Sequence, residues 1–61
     1  MIYENIRELC MKKNISISAL EKKAGLGNGT IGKWRDSKPN VETLSKVADA
    51  LNVSLSRLMK S

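Results

Sequence analysis

Apolar residues recur along this chain at the three- and four-residue spacing of helices. Ile2, Ile6, Leu9 and Cys10 fall at i, i+4, i+7 and i+8, which predicts an amphipathic helix fading near Asn14. Ser16 can cap a second helix, with Ile17, Leu20 and Ala24 on one face and Gly25 as its stop. A third stretch, at about residues 28–36, sets Ile31 and Trp34 three residues apart. Pro39 then breaks the chain and Asn40 is a natural N-cap. The fourth helix carries Val41, Leu44, Val47, Ala48 and Leu51 and ends at Asn52. Ser54 caps a fifth, whose apolar side is Leu55, Leu58 and Met59. The pattern predicts an all-α fold, a compact five-helix bundle forming a single domain over residues 1–61, with no internal repeat, low-complexity segment or linker.

Composition agrees with helices. Phenylalanine is absent and the apolar 41% is mostly Leu, Ile, Val, Ala and Met, whereas strands favour aromatic and β-branched residues. A chain of 61 residues buries only about 60% of its unfolded surface, so the core must be small. Eleven Lys/Arg against six Asp/Glu leave a net charge of +5, which suits an acidic partner such as nucleic acid or an anionic membrane, or serves solubility alone. The single cysteine, Cys10, has no internal disulfide partner and sits on a helical pattern with Ile6, Leu9 and Ile15, as a core residue would. It favours a cytoplasmic setting. With no histidine, zinc sites of the Cys/His kind are excluded, and no cofactor, metal or small-molecule ligand is indicated. No apolar stretch is long enough to span a bilayer and the N-terminus lacks a signal-peptide core, so no membrane partner is expected.

The stretch "GLGNGTIGKW" holds all four glycines and the only tryptophan. Gly27 to Lys33 fits the phosphate-loop pattern G-x-x-x-x-G-K, but a phosphate loop follows a buried strand, and here "ISALEKKAG" reads as a helix. Trp34 also replaces the Ser/Thr that would hold magnesium. Asn28-Gly29 could turn a hairpin, yet neither flank alternates. What survives is two helices joined by a tight turn. Gly25 ends the first, Leu26 packs inward, and Gly27 or Asn28 caps the next. At 100° per residue Ile31 and Trp34 anchor that helix on the core, while Gly29, Gly32, Lys33 and the edge residue Asn28 face outward. A face stripped of side chains suits close approach to a large surface, or else Gly32 eases a helix crossing. Enzyme activity has no support: there is no histidine and no paired acids, and the phosphate loop fails.

The strings "ISISALEKKAGLGNGTIGKW" and "KPNVETLSKVADALNVSLSRLM" resemble the helix-turn-helix domain of the phage repressor and Cro family, also called the Xre family, from Ile6 to Met59. The wording ISI…LE, NGTI-x-KW and VADxxNVS is similar to that of a branch of small phage-type regulators of low-GC Gram-positive bacteria. The resemblance implies a lambda-repressor-like DNA-binding domain whose third helix enters the major groove. It implies DNA-facing roles for Gly27, Asn28, Gly29 and Lys33, and phosphate contacts from the loop residues Ser37, Lys38 and Asn40. Ile17 matches a position where the family often has a glutamine that touches the DNA backbone, so only backbone N–H groups can serve there. Because Gly27 and Gly29 lack side chains, base readout rests on Asn28, Thr30 and Lys33. The family also often pairs an arginine on helix one with a glutamate after the third helix. Those positions are Cys10 and Arg35, so Arg35 is expected to turn toward DNA.

Each of these residues also has a plainer reading. Asn28 could be an N-cap only, and the doublets Lys12-Lys13 and Lys22-Lys23 are solvated surface. Lys33, Arg35 and Lys38 cluster around the third helix and are the better phosphate candidates. Trp34 could stack on a base, but with Ile31 on its face it belongs to the core. The reading that emerges is a sequence-specific double-stranded DNA-binding regulator, a repressor of phage type. A helical protein-interaction or antitoxin-like module is the alternative, and a membrane-active peptide is disfavoured by the shortness of the helices. One recognition helix specifies too little sequence for a unique site. A symmetric homodimer on a near-palindromic operator is therefore expected, with Leu55 and Met59 at the seam and Arg57 at its rim.

Overall fold

A side chain just ahead of a helix and a left-handed residue just behind it set most of the element boundaries. The computed structural model of the chain describes residues 2–59. They form α1 (Ile2–Lys12), α2 (Ile17–Ala24), a 3-10 helix η1 (Ile31–Arg35), α3 (Val41–Leu51) and α4 (Leu55–Met59). Ser16 Oγ accepts from the Ala19 amide at 3.0 Å, Asn40 Oδ1 from Thr43 at 2.8 Å and Ser54 Oγ from Arg57 at 3.3 Å, so each cap satisfies a first-turn donor.

Three helices leave by one device. Asn14, Gly25 and Asn52 take the left-handed conformation, with φ of 57°, 76° and 58°. The next residue then folds back to donate to a carbonyl five positions earlier: Ile15 to Cys10 at 2.9 Å, Leu26 to Glu21 at 2.8 Å, Val53 to Ala48 at 3.0 Å. These are Schellman closures, and as such motifs require, Ile15, Leu26 and Val53 are apolar and pack on the core.

The core takes Ile6, Leu9 and Cys10 from α1, Leu20 from α2, Ile31 and Trp34 from η1, Leu44, Val47, Ala48 and Leu51 from α3, and Leu58 from α4. Helix α2 packs chiefly on α3, η1 packs chiefly on α1, and α4 closes the bundle against α1 and α3. Asn5 Nδ2 ties α4 to α1 by donating to the Leu58 carbonyl at 2.9 Å.

Two expectations need correction. The described residues form four α-helices rather than five, because the third is a five-residue 3-10 helix preceded by a turn. Val41, expected on the buried face of α3, is 59% exposed, since it opens the helix a full turn before Leu44.

Candidate nucleic-acid interface

After Gly25 closes α2 and Leu26 tucks inward, the chain makes a four-residue turn from Gly27 to Thr30, closed by the Thr30 amide on the Gly27 carbonyl at 3.2 Å. Gly29, third in the turn, has φ of +86°. A positive φ at that place is the mark of a type II turn and suits glycine. Gly29 is therefore a turn residue, not one of a bare helix face. The residue that opens η1, Thr30, makes no side-chain cap bond, and neither Gly27 nor Asn28 caps the segment.

The cap comes from α2. Glu21 is 3% exposed, and its carboxylate accepts from the Gly29 amide at 3.1 Å through Oε1 and from the Ile31 amide at 2.9 Å through Oε2. A buried carboxylate is tolerable only when its oxygens are satisfied, and here both are. With the carboxylate anchored at its start, η1 runs by i→i+3 bonds: Lys33 donates to Thr30 and Asp36 to Lys33, each at 3.2 Å. The Ser37 amide and hydroxyl both donate to the Lys33 carbonyl at 3.1 Å, which finishes the segment before Pro39. Three residues per turn eclipse side chains at i and i+3, so Ile31 and Trp34 form one buried stripe. Lys33 is exposed on another side, and Gly32 is half-buried.

Exposed with Lys33 are Gly27, Asn28 and Gly29; Thr30 is half-buried. The Asn28 side chain makes no hydrogen bond among the described residues, so the cap-only reading of it falls. A methyl added at Gly32 would meet nothing within 4 Å, so no crossing helix needs that space. Lys38 is exposed beyond η1, and Asn40 commits Oδ1 to its cap, leaving its amide nitrogen outward. Ile17 opens α2 half-buried against the core, so its side chain is spent on packing.

Arg35, expected to turn toward DNA, has a partner within the chain. Its guanidinium carbon lies 4.8 Å from the Tyr3 ring centroid, and Nη2 donates to the Tyr3 hydroxyl at 3.2 Å. Cys10 is buried, and Arg35 docks on α1 by a cation–π contact. On α4, Leu55 is half-buried against the core, Arg57 is exposed and Met59 is 53% exposed.

Sequence reasoning missed Glu21 and Tyr3. Ile17, Leu20, Glu21 and Ala24 fall at i, i+3, i+4 and i+7, so an acid occupies a core position of α2, and that was a readable signal. Nothing local marks Tyr3, whose partner lies 32 residues away.

Among the described residues no helix is long and apolar enough to cross a membrane. Comparison with curated proteins and with solved structures gives no match. A helix-turn-helix family model matches residues 6–58, from the middle of α1 to Leu58 of α4 and across the whole α2–turn–η1 unit. With most of the chain covered by that match, and with a short segment after α2 propped on the core by Ile31 and Trp34, the chain belongs to the Cro/C1-type, Xre-like helix-turn-helix family of DNA-binding regulators.

Proposed function

We propose that the domain is a sequence-specific repressor of phage type, reading the major groove of duplex DNA with the segment from Asn28 to Asp36. One observation carries the reading: Asn28 and Lys33 stand exposed on a segment whose opposite stripe, Ile31 and Trp34, is buried. Asn28 pairs with the N6 and N7 edge of adenine, Lys33 reaches guanine O6 and N7 or an adjoining phosphate, and the Thr30 methyl suits thymine. Gly27 and Gly29 keep the turn around Asn28 free of side chains, so the backbone there can approach the groove. Phosphates are held by Lys38, the Asn40 side-chain amide and the first-turn N–H groups at Ile17, with Arg35 held on Tyr3; Ser37 serves only by turning its hydroxyl away from the Lys33 carbonyl. The working form is a homodimer on a near-palindromic operator, in a cytoplasmic setting.

Titration of a random-sequence duplex and of a duplex selected from a random library, across a salt series, tests the reading. If each subunit neutralises about three to five phosphates, log affinity falls against log salt with a slope near −0.9 per phosphate. The selected duplex binds more tightly at every salt. A flat salt response contradicts DNA binding, and equal affinity for both duplexes contradicts sequence reading.

A further inference from the structure

A carboxylate is the costliest side chain to place at a buried position of a helix, and an apolar residue there would add to the core. Glu21 nevertheless occupies one, and both its oxygens go to backbone amides outside its own helix. The two amides belong to Gly29 and Ile31, one on each side of Thr30, so one rigid planar group sets the backbone at two points. The turn has few other restraints. Glycines flank Asn28 on both sides, and η1 packs chiefly on α1 rather than on α2.

We propose that Glu21 is a positioning residue for recognition: its carboxylate sets the height and angle at which Asn28, Thr30 and Lys33 meet the base edges, and so sets sequence preference without touching DNA. The proposal rests on the DNA-reading role given above to the Asn28–Asp36 segment. It has a second consequence. The Gly29 and Ile31 amides are consumed internally, so the start of η1 offers them to no phosphate, and that segment meets DNA through its side chains.

Glu21→Gln keeps the volume but can accept only one of the two bonds, setting its own NH2 against the other amide. Two readouts are taken below the melting temperature of both proteins. Amide hydrogen exchange reports the turn. The affinity ratio between a library-selected duplex and a random duplex of equal length reports the reading. Removing one negative charge strengthens binding to both duplexes alike and leaves that ratio unmoved. The expected result is exchange at Gly29 and Ile31 at least about tenfold faster relative to Leu44 and Val47 of α3, with a selected-to-random ratio at least about tenfold smaller. Glu21→Ala should move both readouts the same way and further. A ratio within about twofold of the parent overturns the proposal, and so does an equal proportional loss on both duplexes, which marks damage to the fold alone. If the parent protein itself does not distinguish the duplexes, the DNA-reading role and the specificity role fall together. The exchange data then still say whether the carboxylate held the turn.

Discussion

Asn28 and Lys38 are both exposed, yet they are expected to fail in different ways when truncated. Asn28 caps nothing, so Asn28→Ala leaves the melting temperature where it is, relaxes preference at one base position and costs about 1–3 kcal/mol on the selected site. Lys38→Ala weakens all duplexes alike and lowers the salt slope by about 1. Thermal melts and binding to a panel of single-base variants separate these outcomes; a stability loss in Asn28→Ala with unchanged preference contradicts the assignment. Cys10 makes a prediction of another kind. Burial pushes its thiol above the ordinary value of 9.0, so the folded state holds its proton longer than the unfolded chain does. The stability tied to this group is full below the ordinary value and declines as pH rises above it, because the unfolded thiol ionises first. Urea midpoints measured on both sides of that value check this, and Cys10→Ser should remove this part of the pH dependence.

At the scale of elements, the turn and η1 give opposite answers to one substitution. Gly29 has a left-handed φ, so Gly29→Ala costs about 1–2 kcal/mol of folding stability although nothing crowds the new methyl. Gly32 has open space and an ordinary φ, so Gly32→Ala gains about 0.4–1 kcal/mol. If its bareness serves close approach, the same change weakens binding to the selected duplex, and denaturant melts run beside titrations read both effects. These two glycines also show where sequence reasoning stops. The caps Ser16, Asn40 and Ser54 and the exits at Gly25 and Asn52 were legible because each acts within a few residues. The inward stripe of Ile31 and Trp34 was legible because three-residue spacing places both on one side in an α or a 3-10 helix alike. The type of helix was not. Its ends are bound by Glu21 reaching eight and ten residues ahead to Gly29 and Ile31 and by Ser37 closing back on Lys33, and the first of these is not a local pattern. Likewise Arg35 looked free only because Tyr3, at the other end of the sequence stretch, carries no local sign of pairing with it.

The described residues extend 22 × 21 × 18 Å, less than the roughly 34–36 Å between half-sites one helical turn apart. Two copies centred on neighbouring half-sites therefore share no broad face, and only side chains on their facing edges can bridge the space between them. Helix α4 suits that seam: Met59 is exposed and Leu55 half-buried, and a two-fold axis there would set Arg57 close to its own copy. Like charges at such a rim would keep the free dimer weak, so the proposed pairing should be visible mainly on DNA. Footprinting on the selected operator should protect two half-sites about one turn apart, and protection of a single half-site that ignores loss of the other contradicts the dimer. The central claim, that the Glu21-held turn and η1 form the reading surface, is tested most directly by titrating isotope-labelled protein with the selected duplex and following every backbone amide. The largest changes are expected from Gly27 to Lys33, with smaller ones at Ile17, Lys38 and Asn40. Changes centred instead on Met11 or on the Leu55–Met59 helix, with the Gly27–Lys33 amides unmoved, would contradict it.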